Sequence, residues 1–307
     1  MFTDLSNKWR HEIKFAGDPD FEFVIYTNDT ANSFVKNDTL HIKPTLTEDV
    51  YGAGYVTNKK GLKFSSCTGF LPLDCEQTPR AWQILPPIMS AQISTINSFS
   101  FLYGTIEVKA KFPRGDWLYP EISLVSKNDY YGPGLESGRI RIAFSPGNEE
   151  SGKYLYGGCT LGYWTKGRKY GIRKISSKQH WFENVHTYKL EWKPDGIILY
   201  VDNEVYGTIR PPYNGFASEN NEIQVDPFII KRWQDGTNFA PFDQEMYIVI
   251  GVGAGGQIFL EDNNTIKPWD NDDPKAQLRF YQDRRSWISS WNNETELLVK
   301  HVKVWAV

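Results

Sequence analysis

The clearest pattern in the chain is a strict alternation of polar and apolar residues over residues 105–112. The apolar positions lie two residues apart and are Ile106, Val108, Ala110 and Phe112. Neighbouring side chains of a strand point to opposite faces of the sheet. This spacing therefore predicts a β-strand with one buried face.

A second alternating stretch begins a predicted three-strand meander. In residues 186–192 the inward positions are Tyr188, Leu190 and Trp192. The sequence Pro194-Asp195-Gly196 then offers a turn into the apolar residues 197–201, and Asp202-Asn203 offers the next turn. Turns of this composition join antiparallel strands.

Further strand candidates and one convincing helix complete the pattern. The helix is expected at about residues 274–287, and the strand candidates are residues 22–26, 39–43, 117–125, 138–144, 244–251 and 296–305. Many strands separated by turn residues, with almost no helix, indicate a β-sandwich or barrel. No repeat, Ser/Gly linker or block of like charges divides the chain, so we expect residues 1–307 to form one large β domain.

Composition narrows the class of protein further. Apolar residues make up 40% of the chain and aromatic residues 15%, which is enough for a sizeable core. The net charge of -3 is too balanced for a nucleic-acid-binding surface. The longest apolar run, residues 246–254, is about half of the roughly 20 residues that cross a bilayer. We therefore expect neither a nucleic-acid partner nor a transmembrane helix.

Several searches for chemistry find no site. Residues 251–256 match the dinucleotide fingerprint Gly-x-Gly-x-x-Gly, but no helix pattern follows, so we interpret them as the tight edge of a sheet. The five histidines include no pair at metal-ligand spacing, and Cys159 has no second cysteine near it. We expect no zinc site and a buried, non-catalytic Cys159.

Cysteine spacing and glycosylation signals favour a secreted protein. Cys67 and Cys75 lie close enough, in a loop containing Gly and Pro, to form a disulfide. Four Asn-x-Ser/Thr sequons lie at Asn28, Asn37, Asn263 and Asn293. Because the N-terminus lacks the order of a signal peptide, we expect the chain to be a mature or excised fragment of a secreted protein.

One stretch of the chain resembles a known enzyme family. Residues 138–148, Gly-Arg-Ile-Arg-Ile-Ala-Phe-Ser-Pro-Gly-Asn, resemble the strand Gly-Glu-Ile-Asp-Ile-x-Glu-Ser-x-Gly-Asn of family 16 glycoside hydrolases. The resemblance extends in order through residues 9–13, 43–49, 67–69, 84–88, 97–101, 240–245 and 267–269. This set is similar to the glucanase-like domain of insect β-1,3-glucan recognition proteins, also called Gram-negative bacteria-binding proteins. It implies an all-β, concanavalin-like and laminarinase-like jelly-roll sandwich, and a preceding glucan-binding module that is absent here.

The resemblance also marks where the chain departs from its enzymes. The positions of the nucleophile, the assisting Asp and the acid/base Glu are Arg139, Arg141 and Phe144. Arginine stays protonated and phenylalanine has no proton to give, so no catalytic residue is expected. Two guanidinium groups would also repel a developing oxocarbenium charge. We therefore expect a pseudoenzyme.

Neighbouring residues provide candidates for ligand binding. Trp117 and Tyr119 lie in the preceding strand, and Tyr163 and Trp164 replace part of the family's Thr-Leu-His-Trp-Gly segment. Their rings can stack on sugars or fill the core. Glu121 lies on the same strand face as Ser123 and is expected to pair with the arginines. Either this pairing neutralises Arg139 and Arg141, or one arginine remains free for an anionic polymer.

Three functions remain open at this stage. The resemblance implies a secreted haemolymph domain of innate immunity that recognises microbial glycans, namely β-1,3-glucan, lipoteichoic acid, lipopolysaccharide or peptidoglycan. It also implies partners such as peptidoglycan recognition proteins and modular serine proteases upstream of a protease cascade. The alternatives are an active endo-β-1,3-glucanase with carboxylates rearranged to Glu121 and Glu136, and a protein-docking scaffold that binds no glycan. No cofactor is expected, although some relatives carry a structural calcium ion.

Overall fold

The structure is a computed structural model, and it describes residues 2, 5, 7–260 and 267–306. Strands dominate it, as the alternating pattern predicts. In chain order they are β1 (Arg10–His11), β2 (Lys14–Phe15), β3 (Val24–Tyr26), β4 (Ser33–Lys36), β5 (Thr39–Ile42), β6 (Thr45–Leu46), β7 (Leu62–Lys63), β8 (Glu76–Gln77), β9 (Ile88–Ser90), β10 (Gln92–Ser94), β11 (Ser100–Phe101), β12 (Gly104–Lys111), β13 (Leu118–Ser126), β14 (Arg139–Phe144), β15 (Tyr154–Thr160), β16 (Gly171–Ser176), β17 (His186–Lys193), β18 (Gly196–Val201), β19 (Glu204–Ile209), β20 (Met246–Ala254) and β21 (Leu297–Trp305).

The helices are short and lie between the strands. They are α1 (Thr47–Tyr51), α2 (Pro72–Cys75), α3 (Thr165–Tyr170), α4 (Asn220–Ile223), α5 (Pro227–Gln234), α6 (Ala276–Gln282) and α7 (Arg284–Trp287), with 3-10 turns at Tyr55–Thr57, Gly134–Ser137, Phe216–Glu219 and Ile288–Ser290. The expectation of a sole convincing helix is therefore wrong. The predicted helix over residues 274–287 is split at Asp283 into α6 and α7, and α5 is eight residues long. Asp226 accepts a hydrogen bond from Phe228 N and Pro227 follows it, so α5 begins with a cap that periodicity alone does not reveal.

Two large antiparallel sheets form the body of the fold. The first has the order β1-β10-β20-β13-β14-β15-β16, with β11 also pairing with β20. The second has the order β19-β18-β17-β12-β21-β5-β4, which contains the predicted meander β17-β18-β19. Two small sheets, β2-β3-β9-β6 and β7-β8, complete the described strands.

The two large sheets pack face to face across one hydrophobic core. From the second sheet come the predicted inward residues Ile106, Val108 and Ala110, all fully buried. From the first sheet come Ile140 and Ile142 of β14. The predicted all-β sandwich is confirmed, because each sheet buries one apolar face against the other.

The glycine-rich motif covers the end of strand β20. Gly251 pairs with both β10 and β13, residues 252–254 pair with β13 alone, and Gly255 and Gly256 follow the strand, so the motif lies at the end of a strand within the sheet rather than along an outer strand. Gly253 leaves room for the ring of Tyr119 on β13. Gly256 has a φ of +82°, and a Cβ there would collide with the carbonyl of Asp20. The absence of a Cβ at these glycines allows neighbouring segments of the chain to pack closely against them.

The cysteines are arranged as expected. Cys67 and Cys75 form a disulfide with Cα atoms 5.5 Å apart. Cys159 is a free, buried thiol on β15, and burial raises its pKa to about 12. A thiol with so high a pKa is unreactive at neutral pH.

Candidate functional site

A cleft of about 360 Å³ lies on the outer face of the first sheet. Strands β13, β14, β15 and β16 contribute its floor, and the segment after β20 contributes one wall. The lining includes Trp117, Tyr119, Arg141, Phe144, Tyr156, Thr160, Arg168, Lys169, Ile172, Lys174, Gln257, Phe259 and Lys267. Two of the strands that line the cleft, β15 and β16, were not predicted from the sequence.

The register of β13 and β14 positions the two arginines. Ser123 pairs with Arg141 and Val125 with Arg139. Since Ile140 and Ile142 point into the core, the alternation directs both arginine side chains away from it. Glu121 and Ser123 share one face, as predicted, and the Ser123 hydroxyl donates a hydrogen bond to Glu121.

A buried ion-pair network lies beneath the floor of the cleft, which its members Arg141 and Arg168 line. Arg141 Nη1 lies 2.8 Å from Glu121 Oε2, and Arg141 Nη2 lies 2.6 Å from Asp20 Oδ2. Arg139 Nη1 lies 3.3 Å from Glu121 Oε1 and 3.4 Å from Asp20 Oδ2. Asp20, Glu121 and Arg141 are all at most 4% exposed. Both arginines therefore have carboxylate partners, as the predicted pairing with Glu121 requires.

Two members of this network were not anticipated, Asp20 and Arg168. Arg168 Nη1 lies 2.8 Å from Asp20 Oδ1, while its other nitrogens donate to the carbonyls of Pro19 and Tyr163 and to Gln257 Oε1. Asp20 thus contacts three guanidinium groups. Neither residue lies on a strand, so no alternating pattern points to them.

The pKa values of Asp20, within the network, and of Glu22, two residues along the chain, are shifted in opposite directions. Burial acts to raise the pKa of Asp20, but Arg141, Arg168 and Arg139 outweigh it and hold that pKa well below its usual range. Burial, together with the nearby charge of Asp20, raises the pKa of Glu22 to about 7 even though Tyr26 donates a hydrogen bond to it. Asp20 is therefore ionised at neutral pH, whereas Glu22 titrates near neutrality.

Arg139, Arg141 and Phe144, the positions that the sequence resemblance assigns to catalytic carboxylates, provide no carboxylate pair. Arg139 and Arg141 belong to the ion-pair network. Phe144 stacks on Tyr156 with ring centroids 5.0 Å apart, and the Arg141 guanidinium lies 5.7 Å from the centre of the Phe144 ring. Glu136 lies in the 3-10 turn Gly134–Ser137, with its carboxylate 3.9 Å from Arg232. Glu121 and Glu136 therefore bind different arginines.

The four aromatic residues that were predicted to bind a ligand lie in three different environments. Trp117 and Tyr119 line the cleft, but they are only 7% and 1% exposed and pack edge-on against Phe259. The Tyr163 hydroxyl donates to Asp18 Oδ2 at 2.9 Å. Trp164 is 67% exposed and lies outside the cleft, in a separate surface groove. The cleft thus gains Phe144, Tyr156 and Phe259 as aromatic lining in place of Tyr163 and Trp164.

Three of the four sequon asparagines lie on the surface. Asn28, Asn37 and Asn293 are exposed, whereas Asn263 lies outside the described residues.

Among the residues that the structure describes, no group of three or more His, Cys, Asp or Glu side chains is arranged to hold a metal ion. No helix within the described ranges is long and apolar enough to span a membrane.

Comparison with known sequences supports the resemblance. The family model described as glycosyl hydrolases family 16 matches residues 27–234. A β-1,3-glucan-binding protein of Tenebrio molitor is 46% identical over 308 residues, covering 99% of this chain and 64% of that protein. Gram-negative bacteria-binding protein 1 of Drosophila melanogaster is 33% identical, with 97% and 61% covered. The chain therefore spans somewhat more than three fifths of the length of these relatives.

Comparison with solved structures supports the fold. The laminarinase catalytic domain of Thermotoga maritima matches with a TM-score of 0.62 at 18% identity, covering 100% of this chain and 94% of that domain. The endo-β-1,3-glucanase of Pyrococcus furiosus matches with a TM-score of 0.60, also at 18% identity, covering 98% and 89%. The predicted laminarinase-like jelly-roll sandwich is confirmed.

Proposed function

This chain belongs to the glycosyl hydrolases of family 16, and from that premise we propose that it binds β-1,3-glucan of microbial cell walls without cleaving it. Two independent observations support the proposal. Similar proteins from insects are named for binding β-1,3-glucan or Gram-negative bacteria. The cleft has an aromatic lining that suits sugar rings, while the acids beneath its floor, Asp20 and Glu121, are paired with Arg141.

The ion-pair network carries the non-catalytic part of the proposal. Glycoside hydrolysis needs one carboxylic acid that donates a proton and a second carboxylate that attacks or activates water. Asp20, with a pKa held well below its usual range, has no proton to donate at neutral pH. Glu121 accepts hydrogen bonds from Ser123, Arg139 and Arg141, which occupy the oxygens that would attack a sugar. No free pair of acids remains in this network.

Sedimentation with insoluble β-1,3-glucan tests binding, and incubation with soluble laminarin tests cleavage. We expect retention on the insoluble glucan and no release of reducing ends from laminarin above a blank. Release that Glu121→Gln abolishes and Glu136→Gln leaves intact would establish a glucanase that uses Glu121. Release that both variants abolish would establish the alternative pair of rearranged carboxylates.

A second ligand class is favoured by the charge of the cleft wall. Arg168, Lys169 and Lys174 line the cleft together with Lys267. Such a cluster suits anionic glycopolymers, including lipoteichoic acid, lipopolysaccharide or the carboxylates of peptidoglycan. We expect lipoteichoic acid binding to weaken with salt and with Lys169→Ala, but not with Lys178→Ala, an exposed lysine outside the cleft.

The scaffold alternative makes the opposite prediction for every glycan. A domain that only docks proteins would show no retention on curdlan, peptidoglycan or lipoteichoic acid. Retention on any of these polymers that a soluble form of the same polymer competes away would exclude it.

We further propose that the chain acts outside the cell in innate immunity, upstream of a serine-protease cascade and without a cofactor. The disulfide and the exposed sequon residues Asn28, Asn37 and Asn293 support an extracellular site. Peptidoglycan recognition proteins and modular serine proteases are the proposed protein partners. Co-sedimentation of a purified partner with glucan particles, dependent on this protein, tests the assignment; sedimentation that is the same without it would contradict it.

A further inference from the structure

A second groove lies on the surface outside the cleft. It has a volume of about 400 Å³ and joins the start of α3 to the loop between α4 and α5. We call it the Trp164 groove, and its lining residues are Trp164, Asn220, Asn221, Gln224, Val225, Asp226 and Pro227. None of these seven residues lines the cleft.

Trp164 presents an uncovered aromatic face to this groove. It is 67% exposed, more than the other two exposed tryptophans, Trp82 at 46% and Trp305 at 45%. Lys275 lies over the Trp82 ring at 5.8 Å, whereas no ring or cation among the described residues packs on Trp164. An exposed indole offers a large apolar area with a polar edge, which suits the face of a pyranose ring.

The polar groups of the groove are available to a ligand. The side chains of Asn221 and Gln224 are exposed and make no hydrogen bond to other described residues. Asp226 uses Oδ1 to accept from Phe228 N at 2.8 Å, which leaves Oδ2 for a ligand hydroxyl. The lining includes one carboxylate and neither Lys nor Arg, so it suits neutral rather than anionic sugars.

Hydrogen bonds fix both walls of the groove. Arg168 N donates to the Trp164 carbonyl and Arg168 Nε to the Tyr163 carbonyl, both at 2.9 Å. On the other wall, Gln224 N donates to the Asn220 carbonyl and Val225 N to Asn220 Oδ1. Binding to walls that are already ordered costs less conformational entropy. Because Arg168 also lines the cleft, the groove has a fixed position relative to it.

We propose that the Trp164 groove is a second carbohydrate site, where glucose residues stack on Trp164 and bond to Asn221, Gln224 and Asp226. The choice of β-1,3-glucan as its ligand rests on the proposed function. Two sites in fixed relation raise the apparent affinity for a long polymer through effective concentration, and they add little for a short oligosaccharide.

An indole NMR titration distinguishes the two sites. The protein is labelled with 15N at tryptophan, and the signals of Trp164 and Trp117 are assigned from their loss in Trp164→Phe and Trp117→Phe. The probe is a six-sugar β-1,3-glucan oligosaccharide. We expect a saturable shift of the Trp164 signal, and Trp117 reports on the cleft.

The four possible outcomes test both the carbohydrate site in the Trp164 groove and glucan binding in the cleft. Shifts of both signals support two sites, while a shift of Trp117 alone overturns the groove and leaves the proposed function intact. A shift of Trp164 alone supports the groove and contradicts glucan binding in the cleft. If neither signal shifts, both claims fail for β-1,3-glucan.

Substitution gives an independent measurement. Trp164→Ala should weaken retention of the folded protein on insoluble β-1,3-glucan by roughly fivefold, because it removes the stacking surface. Asn221→Ala should act in the same direction. The matched control is Trp82→Ala, which removes an exposed tryptophan elsewhere. Equal retention of Trp164→Ala and Trp82→Ala would contradict the groove.

Discussion

Strand β14 has two faces that are stabilised in different ways. Ile140 and Ile142 point into the core and are at most 1% exposed. Arg139 and Arg141 point the other way, into a network in which Asp20 and Glu121 neutralise them. The free energy gained by burying apolar side chains has no preferred direction and is roughly proportional to the buried area, whereas a buried charged group must be paired and hydrogen-bonded.

This difference has a consequence for mutation. On the core face, a smaller apolar residue loses only part of the buried area. On the cleft face, loss of one buried acid leaves the three guanidinium groups with a single acid to balance their charge. We therefore expect the cleft face to be much less tolerant of substitution, although both faces belong to one strand.

The largest expected effect comes from Asp20→Asn. The change keeps the size of the side chain but removes the charge that contacts Arg139, Arg141 and Arg168. We expect the free energy of unfolding, measured with urea, to fall by about 3–5 kcal/mol. The matched control is Asp18→Asn, an exposed carboxyl two residues away. A loss below about 1 kcal/mol for Asp20→Asn would contradict the view that this network requires its charge.

The next effect depends on pH and concerns Glu22. Its carboxyl ionises near 4.5 in the unfolded chain and at about 7 in the folded protein. Between these values the folded state binds more protons, so stability decreases as pH rises and the loss is complete above pH 7. Gln does not titrate and still accepts the Tyr26 hydrogen bond.

Glu22→Gln should therefore gain stability relative to the wild type as pH rises. On going from pH 4.5 to pH 8 we expect a relative gain on the order of 3 kcal/mol. Parallel urea titrations of both proteins at the two pH values measure it. A stability difference between the two proteins that does not change with pH would show that Glu22 titrates normally.

A smaller effect is expected on the core face of β14. Ile142→Val removes one buried methylene and should cost about 1 kcal/mol by urea unfolding. The cost should not change between pH 5 and pH 8, and retention on glucan should be unaffected. A strong pH dependence would show that the two faces are coupled rather than independent.

The smallest effect is expected for an ion pair on the surface. Lys63 Nζ lies 2.7 Å from Glu76 Oε2, as close as the pairs in the cleft, but both side chains are more than half exposed. Solvent screens such a pair, so Lys63→Ala should leave the urea midpoint unchanged within error. A measurable loss would mean that distance, rather than burial, sets the contribution of ion pairs in this protein.

Prediction from the sequence succeeded where one face of a strand is apolar. The alternation over residues 105–112 located β12, and all six further strand candidates contain a strand. It did not find β15, which contains two adjacent glycines, or β16, which contains two adjacent charged residues, because neither strand has a clear alternation. It also missed α5, because a helix of eight residues depends on its cap and on packing more than on periodicity.

The sequence by itself determined that the fold is all-β and that Cys67 and Cys75 are close. Local spacing carries that information, since strand faces and short loops depend on residues near one another in the chain. Glu121 was expected to pair with the arginines, but only the structure showed that Asp20 and Arg168 belong to the same network. Asp20 contacts Arg141 and Arg168, which lie 121 and 148 residues away in the sequence. Trp164 lies in a separate groove outside the cleft. Contacts over such separations follow from sheet packing, which no local pattern specifies.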